Sequence, residues 1–144
     1  MDSGLQNPSI IRVAAVVICD SQRRILTVRK RGTHRFMLPG GKPEAGEDPH
    51  QAAAREAYEE IGLDLDAHTL EHLGQFSADA ANEPGQLVQA EAYLLPEPQR
   101  PEDLQAAAEI DELRWMSAEQ IVTGTDIAPL LSTQIIPAWM ERTG

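Results

Sequence analysis

The apolar positions fall into short β-branched runs near both ends of the chain and one stretch of helical period between residues 49 and 61. The run I-I-R-V-A-A-V-V-I-C over residues 10–19 predicts a strand buried on both faces. A polar turn at 20–24 leads to a second strand at 25–30 and a short one at 36–38, which enters Pro39-Gly40-Gly41, read here as a tight turn. Beyond the helical stretch, 70–77 and 87–95 read as the arms of a hairpin around the turn Asn82-Glu83-Pro84-Gly85. Three prolines make 96–101 an extended loop, the acidic, alanine-rich 102–110 reads as a short helix or a loop, and 113–116 is the last strand. Ser117 to Gln120 carries a capping-box pattern, and 127–140 reads as a helix interrupted at Pro137. Residues 1–9 show little periodicity and read as a flexible terminus, leaving 10–144 as a single domain. Strands before and after a central helix, with a closing helix, predict an α/β fold with a mixed sheet between helices.

The central helix is the informative element. Asp48 before Pro49 is a start signal, and Gly62 is a stop. Between them Glu56, Glu59 and Glu60 fall within an arc of roughly 100°. Ala54, Ala57, Tyr58 and Ile61 form the opposite stripe, predicted to face inward, while Ala52 and Ala53 flank the acidic face and leave space above it. Like charges three or four residues apart cost a helix about 0.2–0.5 kcal/mol per pair. Arg55 alone cannot neutralise three carboxylates, whereas a hard divalent cation takes such oxygens readily. A solvated acidic face is the plain alternative for three glutamates taken alone. The neighbouring Gly40-Gly41 tips the balance, because two residues without side chains let backbone carbonyls approach a metal closely.

Composition narrows the partners. With 144 residues, 42% of them apolar, the chain suffices for one aliphatic core. The net charge of −11 argues against a nucleic-acid polymer as partner. Eight of the twelve basic residues nevertheless precede the acidic helix, from Arg12 to Lys42, a split suited to a small anion held between them and a metal. Cys19 is the lone cysteine and reads as a buried strand residue. No signal segment or bilayer-length apolar run is visible, so no membrane is expected and the expected location is cytoplasmic.

The spacing Gly41, Glu47, Arg55-Glu56-Ala57-Tyr58-Glu59-Glu60-Ile61-Gly62-Leu63 resembles the signature box of the Nudix hydrolases, with Ala57 small where the family has a larger aliphatic residue. The resemblance covers roughly residues 10–136 and implies an α/β/α sandwich. It also implies hydrolysis of the diphosphate linkage in a nucleoside diphosphate joined to another moiety, a small-molecule nucleotide such as a modified nucleoside triphosphate. A catalytically silent nucleotide-binding module is the alternative. The implied cofactor is Mg²⁺, with Mn²⁺ as substitute. By position, Glu56, Glu59 and Glu60 are the implied ligands, Glu56 doubling as base; Gly40 offers its carbonyl, Arg55 orients a glutamate, and Glu47 is structural. Arg29, Lys30 and Arg31 are the implied phosphate contacts, with Lys42, next to the glycines, a further candidate whose alternative is an exposed loop lysine; Glu109 is the implied extra ligand from the loop before the last strand, chosen over Asp111 and Glu112. Phe36 and Phe76 are weak candidates for touching a base, the four histidines and two tryptophans carry no implied role, and a homodimer is a common assembly of the family.

Overall fold

The computed structural model describes residues 9–80 and 85–143. Strands β1 (Ile10–Val17), β2 (Ile25–Lys30), β3 (Gly40–Gly41), β4 (Glu71–Asp79), β5 (Leu87–Leu94) and β6 (Ile110–Met116) are joined by helices α1 (Pro49–Ile61), α2 (Ala118–Thr123) and α3 (Ile136–Thr143). The larger sheet has the order β3-β1-β5-β4, with β1 and β5 parallel and the other pairs antiparallel. β2 and β6 form a separate antiparallel ribbon, tied to the larger sheet through Leu26 N–H to the Ile18 carbonyl and the two-way bonds of Val28 with Met37.

Alternation along β1 explains the layers. Ala14, Val16 and Ile18 pack with Leu26, Val28 and the α1 residues Ala52, Ala53, Ala57 and Ile61. Ala15 and Val17 point the other way, into a cluster with Ile121, Leu131, Ile136 and Trp139 from the C-terminal helices. A strand with two buried faces needs apolar residues at successive positions, which the V-A-A-V-V-I run supplies. Each buried Val or Ile contributes about 1.5–3 kcal/mol. The prediction holds for the C-terminal half of β1; at its start Ile10 and Arg12 are exposed.

Several expectations are refined. In α1 the inward stripe is Ala52, Ala53, Ala57 and Ile61, and Tyr58 is 62% exposed on the outer side. Ala52 and Ala53 are fully buried, so they let the helix press onto β1 instead of flanking open space. β6 begins at Ile110, earlier than predicted, because it pairs with all of β2. Residues 101–109 form a 3-10 turn, Pro101–Asp103, and a loop that ends in a turn at 108–109.

The closing helix continues past Pro137. Leu130–Ile135 is π-helical, and the Ile136 N–H bonds to the Leu131 carbonyl five residues back. Proline has no N–H and its ring crowds the preceding turn, so a widened turn just before it absorbs the misfit. The expected 82–85 turn and the flexible 1–9 terminus fall, but for Gly85 and Ser9, outside the described residues. No helix among the described residues is long and apolar enough to cross a membrane.

Candidate active site

β3 brings two glycines against β1, Gly40 opposite Ala15 and Gly41 opposite Ala14. Neither has a positive φ, so the tight turn expected here is instead a point of close approach. A Cβ on Gly40 would meet the Ala14 carbonyl oxygen, and one on Gly41 would meet the Glu56 carboxylate. Bare backbone lets the strand lie directly beneath the acidic face of α1. That helix is set by its ends: the Asp48 N–H donates to Gln51 Oε1 at 3.0 Å, and Gly62 closes it in the left-handed region with φ of 72°.

Arg55 is the hub of the exposed edge. Its guanidinium grips Glu47 bidentately at 2.9 and 3.0 Å, reaches Glu56 at 3.3 Å and Glu59 at 3.2 Å, and donates to the Lys42 carbonyl at 3.2 Å. The Arg55 bonds to Glu47, with the Glu44 N–H, hold the Glu47 carboxyl down at about 2. A carboxyl depressed in the folded state stabilises the fold above its unfolded value of 4.5, and that contribution is lost as pH falls towards 2. Glu47→Gln is therefore expected to lower the melting temperature at pH 7, with the difference from wild type fading between pH 4.5 and pH 2. Thermal unfolding across that window checks it.

Glu60 is the outlier. It is 1% exposed on the inward side of α1. One carboxylate oxygen accepts the Gly40 N–H at 3.1 Å, while Oε2 has no hydrogen-bond partner among the described residues. Burial pushes its pKa up to about 8, the Gly40 N–H and Lys30 pull against that, and the Glu56 and Glu109 charges add to it. Glu56 is also raised, chiefly by burial and against the opposing pull of Arg55. Glu59, at 49% exposure, lies at the outer edge with Arg55 as its partner.

A cavity of about 450 Å³ opens beside these groups. Its polar lining includes Lys30, Gly40, Gly41, Lys42, Glu56 and Glu109. Lys30 Nζ stands 3.4 Å from Glu109 Oε1. Its aliphatic lining includes Ile11, Val13 and Val88 from the sheet and Leu130, Leu131 and Ile135 from the π-helical segment. Of the four expected phosphate contacts, Lys30 and Lys42 line the cavity. Arg29 turns instead to Glu112 at 3.4 Å, and Arg31 to Asp111 at 3.7 Å. Phe36 is buried in the core and Phe76 packs at its margin, and neither lines the cavity.

The aliphatic wall was not recognised as part of a site in the sequence, since a wall residue and a core residue share one pattern. His50 and His68, with ring centres 6.0 Å apart, and His72 gather around Tyr93, away from this cavity.

Among the described residues no three His, Cys, Asp or Glu side chains stand as a ready metal cage. The donor chemistry nevertheless suits a hard divalent ion: a buried carboxylate oxygen on Glu60 without a partner among the described residues, Glu56 against Gly41, and Glu109 in the same cavity lining, all oxygen donors.

A NUDIX domain model matches residues 9–135. The chain is 44% identical over 55 residues to an RNA pyrophosphohydrolase of Tolumonas auensis, a match covering 38% of this chain and 32% of that one. It thus spans about a third of the length of that curated relative. Its fold is similar to the MutT protein from Methanosarcina mazei Go1, with a TM-score of 0.79 and 19% identity over 97% of this chain and 100% of that one. It is also similar to the E. coli ORF135 protein, with a TM-score of 0.72 and 24% identity over 99% and 96% of the two chains. The sandwich, the glutamates gathered at Gly40-Gly41 and a domain match over most of the length agree: this chain belongs to the Nudix hydrolase family.

Proposed function

We propose that the protein is a Mg²⁺-dependent hydrolase of the diphosphate linkage in a nucleoside diphosphate joined to another moiety, modified nucleoside triphosphates included. The observation that carries this reading is Glu60, buried with one oxygen bonded to Gly40 and the other without a partner among the described residues, beside Glu56 and a cavity lined by Lys30 and Lys42. A lone buried carboxylate is costly, and a cation offsets that cost.

Glu56, Glu59, Glu60, the Gly40 carbonyl and Glu109 are the groups that would hold the ion, with Mn²⁺ as a substitute. Bound there, it would neutralise phosphate charge and ease deprotonation of a water. Lys30 and Lys42 place positive charge where the diphosphate would lie. Glu56, raised by burial, is suited to accept a proton from the attacking water as an anhydride P–O bond breaks. Arg55 keeps Glu56 and Glu59 at the rim. The aliphatic walls exclude water and take the organic part of the substrate.

The test is a panel with Mg²⁺: nucleoside triphosphates, 8-oxo-dGTP, ADP-ribose, NADH, dinucleoside polyphosphates and, because a relative is named an RNA pyrophosphohydrolase, a 5′-triphosphorylated oligoribonucleotide. Release of phosphate, pyrophosphate or a nucleoside monophosphate from at least one member is expected. Tight nucleotide binding by calorimetry without any product would replace this reading with a silent binding module. For the best substrate, Lys42→Ala is expected to raise KM by about three- to tenfold with kcat little changed, as loss of a contact made equally to ground and transition states requires.

A further inference from the structure

The loop that carries Glu109 is bonded to the end of α1 at successive points. Gln105 N–H donates to the Ile61 carbonyl at 3.3 Å and Ala107 N–H to the Glu60 carbonyl at 2.9 Å. A turn follows, in which Ile110 N–H bonds to the Ala107 carbonyl at 3.0 Å. From the other side, Arg31 N–H donates to the Glu109 carbonyl at 2.7 Å, and the Arg31 guanidinium to the Ala108 carbonyl at 3.3 Å.

Inside this turn Ala108 has a φ of +53°, in the left-handed region. An Asn or Asp there can bond to its own backbone, but alanine offers nothing to offset the crowding of its Cβ. Such a conformation persists only where the surroundings over-determine it. Here they do: the backbone on each side of Ala108 is anchored, one anchor being the residue whose carboxylate is the buried Glu60.

We infer that Ala108 is a positioning residue, whose strained turn, clamped between α1 and Arg31, holds Glu109 in fixed relation to Glu60. The inference rests on the reading that Glu109 serves the site. Glycine at 108 accepts the same φ without crowding but also visits others, so it loosens the turn with little change in stability and leaves the site poorer, the opposite of what a purely structural role produces.

The experiment compares Ala108→Gly, Ala108→Asn, Glu109→Gln and the double variant Ala108→Gly/Glu109→Gln in the full chain. Ala108→Gly is expected to lower kcat by about tenfold, since small misplacements of a reacting group are costly, with KM within about twofold. Its melting temperature stays unchanged or rises, because glycine accepts positive φ without crowding. Ala108→Asn, which tolerates the left-handed region, retains most of kcat. The double variant loses no more than Glu109→Gln alone, as two changes acting through one group are not additive.

Mn²⁺ affinity, read by electron paramagnetic resonance without substrate, falls in Ala108→Gly and Glu109→Gln and holds in Ala108→Asn. Wild-type kcat and Mn²⁺ affinity in Ala108→Gly would overturn the inference. So would Glu109→Gln without effect on either, and in that case the hydrolase reading stands for as long as the wild-type protein turns over. A wild-type protein that hydrolyses nothing defeats the hydrolase reading instead, and Mn²⁺ affinity alone then decides the role of Ala108.

Discussion

Glu60→Gln is expected to lower kcat by at least about tenfold, the loss of one transition-state contact worth about 1.4 kcal/mol, and at the same time to stabilise the metal-free protein at alkaline pH. Glutamine has the shape of the protonated acid and keeps an oxygen for the Gly40 N–H. The sign follows from the raised pKa. In the unfolded chain Glu60 ionises near 4.5, and in the folded protein it holds its proton to about 8. Between those values the native state binds the extra proton, so wild-type stability is complete below pH 4.5 and declines as pH rises through 8. The decline approaches a factor of ten in the folding equilibrium per pH unit. Thermal melts in chelator from pH 5 to pH 9 should show the slope in wild type and little of it in Glu60→Gln. Millimolar Mg²⁺ should flatten the wild-type slope. Parallel slopes for both proteins, or undiminished kcat, would remove Glu60 from the site.

The two adjacent glycines should respond in opposite ways to the same methyl group. Gly40→Ala drives its Cβ into the backbone oxygen of Ala14. Backbone cannot swing aside, so β3 must peel from β1, and a loss of about 1–3 kcal/mol is expected, as for overpacked cores. Gly41→Ala instead meets the end of the Glu56 side chain, which can rotate away. Its melting temperature should stay close to wild type while kcat falls by about tenfold or more, because Glu56 no longer reaches its place. Chemical denaturation and steady-state kinetics on both variants decide the matter. A destabilised Gly41→Ala with normal kcat would show that Glu56 does not act from that position.

Much of the frame was legible before any coordinates. The Asp48-Pro49 start and Gly62 stop bracket α1 because capping is a local property, written in residues next to the helix end. β2 at 25–30 matched its expected limits, and the strand expected at 87–95 from its alternation ends one residue earlier, at Leu94, again a local signal. Errors arose where the decisive contact is distant in sequence. Tyr58 lies outward and Ala52 inward because the sheet beneath α1 selects which alanine-rich stripe fits closest. Gly40-Gly41 pairs with Ala14 and Ala15, some 25 residues earlier, and so became a strand rather than a turn.

By itself, then, the sequence determined α1 and most of the strands, the family resemblance and the shared face of Glu56, Glu59 and Glu60, since periodicity and spacing along one helix are enough to place them. Only the tertiary structure separated these three, burying Glu60 against Gly40 and leaving Glu59 to Arg55 at the surface. It also kept Lys30 and Lys42 at the cavity while Arg29 and Arg31 turned to Glu112 and Asp111. Charge and polarity belong to each residue alone, but burial and ion-pair partners arise from segments that meet only when the chain has folded.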